Sequence, residues 1–204
     1  VRQPPLRHGL IDRFLIIAER GELEPVLVIN KSDLGRDKLD KGILGDFEEL
    51  GVKMLFCSAL TGEGIEDLQA ILAGKRSVLA GASGVGKSTL VNALIPGAEA
   101  ETREIRSKDS RGRHTTTATR VYDLPDGGLL VDTPGIRELG MHLVADELPW
   151  YFPEFEALAG ECRFNDCTHT HEPGCAVREA AEAGAIPPRR YKSYLRLLDI
   201  VEDT

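Results

Sequence analysis

The sequence has no long hydrophobic run. Its longest apolar stretches, such as Val26–Ile29 and Leu129–Val131, are strand-sized and far short of the roughly 18 residues a membrane span needs. No basic-then-apolar leader opens it, so nothing points to secretion, and a soluble, cytoplasmic protein with no membrane partner is expected. The chain starts at Val1 rather than Met, as a fragment or a chain that has lost its start would. A surplus of positive charge is also missing. The net charge of −8 argues against polyanion binding through the whole surface. There is no internal repeat and no low-complexity tract. Cysteine is scarce, with four in the chain, yet three of them crowd into residues 162–175 beside two histidines. Without a leader, that clustering favours a metal over disulfides.

What is present is ordinary in bulk: 204 residues, 42% hydrophobic and 28% charged. That length holds one α/β domain of about 150 residues and a small appendage. Apolar residues at helical spacing predict a helix over 8–20, with Leu10, Phe14, Ile17 and Ala18 on one face. Val26–Ile29 suits a buried parallel strand. Helices are predicted over about 39–50, 64–72 and 88–95, with strands over 52–57 and 77–80 between them. Residues 118–124 and 129–132 flank Pro125-Asp126-Gly127-Gly128 and read as a hairpin. The segment from 98 to about 117 shows no periodicity. From about Met141 the composition shifts to Trp, Phe, Pro, Cys and His, then to a helix over 188–202. The expectation is an α/β three-layer sandwich over 1–145 and a small helical domain over 146–204.

The motifs carry the chemistry. Gly81-Ala82-Ser83-Gly84-Val85-Gly86-Lys87-Ser88 lies between a predicted strand and a predicted helix, followed by Thr89. Glycines let the backbone wrap round phosphate oxygens, and the helix start adds its positive dipole end. Lys87 would reach the β- and γ-phosphates, and Ser88 would ligate Mg²⁺. Asp132-Thr133-Pro134-Gly135 ends a strand. There Asp132 would hold the Mg²⁺ through water, and the Gly135 amide would sense the γ-phosphate. Asn30-Lys31-Ser32-Asp33 follows another strand. A carboxylate at Asp33 can accept from both N1–H and the 2-amino group of guanine, which adenine cannot offer. Lys31 would lie along the base, and Asn30 would tie this loop to the phosphate loop. Cys57-Ser58-Ala59 closes the next strand, where the Ala59 amide could meet guanine O6.

Together these four elements resemble the GTPase superfamily, but in an unusual order. Asn-Lys-Ser-Asp and Cys-Ser-Ala come before the phosphate loop instead of after it. Joining the old ends near Lys75-Arg76 and cutting elsewhere leaves the sheet intact, because all these loops lie at one edge of it. The pattern is that of a circularly permuted P-loop GTPase.

Three further features narrow the resemblance: Gly112-Arg113-His114-Thr115-Thr116-Thr117; Ile136 where many GTPases place a glutamine; and the cysteine cluster. With them the chain resembles the ribosome small-subunit-dependent GTPase A (RsgA, also called YjeQ) family over nearly its whole length. The family's N-terminal OB-fold domain has no counterpart here. The resemblance implies GTP hydrolysis in late maturation of the small (30S) ribosomal subunit, with GTP/GDP, the subunit and its rRNA as partners and a monomeric chain. Thr116 is then the switch threonine on Mg²⁺, with Thr115 and Thr117 as alternatives. His114 stands in for the missing glutamine as a catalytic group beside Lys87. The other reading is a GTP-dependent RNA- or protein-binding switch with little hydrolysis of its own, which the aliphatic Ile136 favours.

Cys162, Cys167 and Cys175 with one imidazole, His169 or His171, suit a closed tetrahedral zinc site. The family pattern selects His169. Tyr151–Gly174 has too few apolar residues to fold without such a clamp. Two basic stretches are candidates for RNA contact. The first holds Arg103, Arg106, Lys108, Arg111, Arg113 and Arg120, and the second Arg189, Arg190, Lys192 and Arg196 at the start of the last helix.

Overall fold

The computed structural model describes residues 6–36, 39, 41–98, 103–105, 119–132 and 144–202. These fall into two compact units. One lies within Val26–Leu39 and Met54–Leu139, the other within Leu6–Pro25, Asp40–Lys53 and Gly140–Thr204. The first helix and residues 41–53 thus pack with the C-terminal residues.

The first unit alternates strand and helix: β1 (Val26–Ile29), β2 (Lys53–Phe56), α3 (Ile65–Leu72), β3 (Arg76–Leu79), α4 (Lys87–Leu94), β4 (Arg103–Ile105), β5 (Thr119–Asp123) and β6 (Leu129–Asp132). Among the described residues its strands form two ladders. β1 pairs with β2, and the second ladder runs β3-β6-β5-β4. β3 and β6 are parallel, with Leu79 opposite Asp132, so both chains end at the same edge of the sheet. β5 is antiparallel to β6 and β4 to β5.

The core explains why α4 forms where it does. Leu90, Val91 and Leu94 recur at helical spacing and are buried with Leu68, Tyr122 and Leu130. Each such side chain contributes about 1.5–3 kcal/mol on leaving water. α4 ends before Pro96-Gly97: proline has no amide to continue the helix, and Gly97 takes φ 88°, a left-handed conformation that glycine adopts without a Cβ penalty.

The second unit holds α1 (His8–Arg20), α2 (Lys41–Glu49), a 3₁₀ helix (Ala145–Tyr151), α5 (Pro153–Ala159), α6 (Ala176–Glu182) and α7 (Pro188–Glu202). Ile16 of α1, Phe152, Phe155, Cys175, Tyr194, Leu197 and Leu198 form one core. Residues 151–174 thus take much of their apolar packing from α1 and α7, which lie outside the stretch read as too polar to fold alone.

Arg190 departs from the sequence expectation. It is 3% exposed. Its guanidinium pairs with Asp12 and grips both oxygens of Glu154, at 2.5 and 3.0 Å, while lying 4.6 Å over the Phe152 ring. An arginine so committed cannot reach an RNA partner. Arg189 is also engaged, donating to Asp46 at 3.0 Å.

Candidate functional site

The phosphate loop leaves β3 and enters α4. Gly84 and Gly86 take φ 82° and 95°, which costs an L-residue about 1–2 kcal/mol. Gly86 is also fixed by space, since a Cβ there would stand 2.6 Å from Asn30 Nδ2. Lys87 begins α4, so the first amides of the helix have no partner within it. The first turn carries no acidic residue, which leaves its positive end open to an anion. The Lys87 ammonium arches back over the loop and donates to the Gly81 and Ala82 carbonyls at 2.8 and 3.2 Å. Ser83, Ser88 and Thr89 are exposed; Ala82 and Val85 are half-buried.

The loop after β1 is bonded directly to this cradle. Asn30 Nδ2 donates to the Val85 carbonyl at 3.1 Å. Its Oδ1 accepts from the Lys31 and Ala59 amides at 2.8 and 3.1 Å. One amide side chain therefore joins three of the sequence motifs. Lys31, held at φ 68°, donates its Nζ to the Gly84 carbonyl at 2.6 Å. Ser58 is fully buried. Its hydroxyl donates to Asp33 Oδ1 at 2.5 Å and accepts from the Thr61 amide at 3.2 Å. Asp33 itself remains exposed. A serine thus aims an exposed carboxylate whose remaining lone pairs can accept from a planar pair of N–H donors.

Glu63 was not picked out from the sequence. It accepts from Ser32 Oγ at 2.8 Å and from Arg36 Nη2 at 2.7 Å, with Arg36 over the Phe56 ring. It braces the Asp33 loop from outside. No spacing signal marks it, because the contact spans two loops.

Asp132 closes β6 and is 9% exposed, and among the described residues its Oδ1 finds no hydrogen-bond partner. A buried carboxylate oxygen without a donor suits a cation bridged by water. With the exposed Ser88 hydroxyl this donor set fits Mg²⁺. His114, Thr116 with its neighbours Thr115 and Thr117, Gly135 and Ile136 lie outside the described residues, as do Arg106, Lys108, Arg111 and Arg113.

In the second unit the donor atoms of Cys162, Cys167, His169 and Cys175 all lie within 4.8 Å of one another. His169 Nδ1 is 3.6 Å from Cys162 Sγ and 3.5 Å from Cys175 Sγ. A tetrahedron with Zn–S and Zn–N bonds of about 2.3 and 2.05 Å has S···N edges of about 3.5 Å. The four residues could hold one zinc ion with no position left for water. Burial lowers the pKa of His169, which keeps the imidazole neutral as a ligand must be. Burial also pushes the Cys167 thiol up to about 12 and raises Cys175, so a cation is needed to hold these sulfurs as thiolates.

His171 is exposed and turned to Thr170 Oγ1 at 2.8 Å, outside the cluster. Two outer contacts support the ligand loop: Tyr191 donates to the His169 carbonyl at 2.7 Å and Tyr194 to that of Thr168 at 2.6 Å. Glu172, also missed from sequence, accepts from the Thr168 hydroxyl and from the Thr168, Thr170 and His171 amides. Its signal was a carboxylate closing a run of short polar residues.

Base loop, phosphate loop and β6 carboxylate, met in that order along the chain, define a circularly permuted GTPase fold, joined to a helical unit with a Cys₃His centre. The profile of the RsgA GTPase family matches residues 1–142. A Haemophilus influenzae (strain PittGG) protein, the small ribosomal subunit biogenesis GTPase RsgA, is 42% identical over 98% of this chain and 59% of its own length. The crystal structure of YjeQ from Thermotoga maritima superposes with a TM-score of 0.72 at 38% identity, over 100% of this chain and 69% of that one. YloQ, described as a circularly permuted GTPase, gives 0.70 at 29% identity, over 98% and 65%. The chain belongs to the RsgA GTPase family. It spans about 59% of the length of the Haemophilus relative.

Proposed function

We propose that the chain binds GTP with Mg²⁺, hydrolyses it to GDP and phosphate, and acts in late maturation of the small ribosomal subunit. The observation that carries this reading is the Asn30 amide, which locks the base-reading loop to the phosphate cradle. Relatives named as small ribosomal subunit biogenesis GTPases supply the partner. Residues 1–145 would carry the nucleotide chemistry and 146–204 the zinc centre, in a monomeric cytoplasmic protein. No helix among the described residues is long and apolar enough to cross a membrane.

Each residue has a separable task. Asp33, aimed by Ser58, accepts from guanine N1–H and the 2-amino group, and the Ala59 amide donates to O6. Lys31 lays its stem along the base. Loop amides from Gly81 to Thr89 face the phosphates, and the Lys87 ammonium moves from its own carbonyls to the β- and γ-oxygens. Ser88 and Asp132, with Thr116 and the Gly135 amide, would surround Mg²⁺ and the γ-phosphate. When bound, the ion neutralises charge on the bridging phosphates.

Water attacks the γ-phosphorus as the β–γ bridge breaks; the electron pair leaves on the GDP β-phosphate, where Lys87 balances it, and the water's proton passes to the phosphate released. Ile136 has no hydrogen-bonding group, so the water is placed by His114. A GTP-dependent switch with negligible hydrolysis is the competing reading, and Ile136 is what favours it.

Phosphate release with GTP, ATP and XTP, with and without purified small subunits, tests both. GTP-selective turnover raised by subunits, and lost in His114→Ala at unchanged GTP affinity, is the expected result. Tight GTP binding with no turnover in either condition would leave the switch reading.

A further inference from the structure

We propose a second anion site, in a groove of about 680 Å³ formed by α1 and α7, which holds the phosphate backbone of an RNA strand. Arg7, Arg13, Arg189, Lys192 and Arg196 line it, and among the described residues no carboxylate does. In a chain of net charge −8, a concavity lined by Arg7, Lys192 and Arg196 beside two further arginines concentrates positive potential where the rest of the surface repels polyanions.

Helical spacing explains the arrangement. Arg189, Lys192, Ser193 and Arg196 fall three or four apart and share one face of α7, as Arg7, Leu10 and Arg13 do along the start of α1. Burial of Ile16, Leu197 and Leu198 in one core holds these two helices together. Arg189 is already shared with Asp46, so the inference rests chiefly on Arg7, Lys192 and Arg196. All three are exposed, and no described carboxylate pairs with them.

The second observation is Ser193. It lines the groove, is 3% exposed, and its Oγ has no hydrogen-bond partner among the described residues. A buried hydroxyl without a partner is costly unless a ligand completes it. Gly9 faces it, and a Cβ on residue 9 would stand 3.3 Å from that oxygen. Guanidinium forks and an ammonium at the mouth with a hydroxyl donor at the floor match the non-bridging oxygens of a phosphodiester. The choice of RNA as the strand rests on the proposed function.

The test uses the zinc-loaded 204-residue chain and a fluorescein-labelled 20-nucleotide single-stranded RNA, titrated from 50 to 250 mM KCl. The triple variant Arg7→Gln/Lys192→Gln/Arg196→Gln should bind at least tenfold more weakly at 100 mM. Its slope of log K against log salt should be shallower by about 2, since each lost phosphate contact removes about 0.7. Ser193→Ala should weaken binding a few-fold with the slope unchanged. GTP affinity, measured in parallel, should match the parent's, so failure of the GTP reading and failure of the groove are read on separate axes. Parent-like affinity and slope in the triple variant would overturn the proposal. Displacement of the RNA by micromolar tripolyphosphate would overturn it too, as a site for small anions alone.

Discussion

Asn30 Nδ2 reaches the Val85 carbonyl at 3.1 Å because residue 86 has no side chain. The two positions lie in separate sequence motifs and are mutually exclusive in space: any Cβ at 86 would press on the amide at 30. We therefore expect Gly86→Ala to reduce GTP affinity more than tenfold, through both the clash and a left-handed φ that costs on the order of 1–2 kcal/mol. Asn30→Ala should lose a similar amount without the backbone strain. Circular dichroism should leave both folded. Parent-like GTP titrations of either variant would separate the base loop from the phosphate loop.

Base selection should depend on two residues. Asp33→Asn reverses one donor–acceptor relation with guanine, so GTP weakens and xanthine nucleotides gain. Ser58→Ala keeps the carboxylate but frees it to turn. A hydrogen bond to a charged group is worth about 1.5–3 kcal/mol, so GTP affinity should fall about tenfold or more without a gain for XTP. A competition titration in which Asp33→Asn still prefers GTP as the parent does would remove Asp33 from the base site.

Four protein ligands make the zinc structural. Chelation or Cys167→Ser should expose the segment after about residue 150 to protease. Because Ile16 shares the core of Cys175 and Phe155, α1 should lose hydrogen-exchange protection with it. GTP affinity should stay within a few-fold. Loss of hydrolysis with an unchanged circular dichroism spectrum would point instead to a catalytic metal.

The sequence displayed regular elements well and short ones poorly. α1, β1, β6 and α7 run over the spans their periodicity predicts, since each has a whole face or a whole strand to bury. β4 has three residues in a polar stretch and exists through its ladder with β5. α5 and α6 have seven residues each, too few turns to show a period. The phosphate loop, base loop and metal ligands were legible because their chemistry fixes residue type and local spacing. Glu172 was passed over although it closes a run of polar residues whose amides it accepts from. Glu63 was not legible, because it joins two loops through geometry that no local pattern encodes. Arg190 misled for a related reason: its partner Asp12 lies 178 positions away.

Glu172 gives the chain an acid-sensitive brace. Burial works to raise its carboxyl, but the hydroxyl of Thr168 and the surrounding amides outweigh that and hold it at about 2. A folded pKa below the ordinary 4.5 adds stability that is complete above about pH 4.5 and disappears as the pH falls towards 2. The melting-temperature gap between the parent and Glu172→Gln should be widest at pH 7 and narrow steadily below 4.5. Protonation of the zinc ligands lowers both melting points, which is why the gap is the quantity to read. A gap that does not change with pH would mean that Glu172 acts through shape alone.

Arg190 is best understood through the carboxylates it would abandon. Asp12 is 1% exposed and also takes a hydrogen bond from His8 at 2.7 Å. Glu154 sits at the foot of α5, with both oxygens on the guanidinium. Removing one partner of a buried ion pair strands the other charge, at a cost of about 3–5 kcal/mol. Arg190→Ala should therefore unfold at much lower urea in the zinc-loaded protein. Lys192→Gln, two residues on and exposed, should stay within about 0.5 kcal/mol of the parent. RNA binding should show the reverse order: Lys192→Gln weakens it, and whatever Arg190→Ala loses should track the fraction unfolded. If Arg190→Ala instead kept its urea midpoint while losing RNA affinity, the ion pair would be incidental. The arginine would then be an anion contact, as its place in the basic run first suggests.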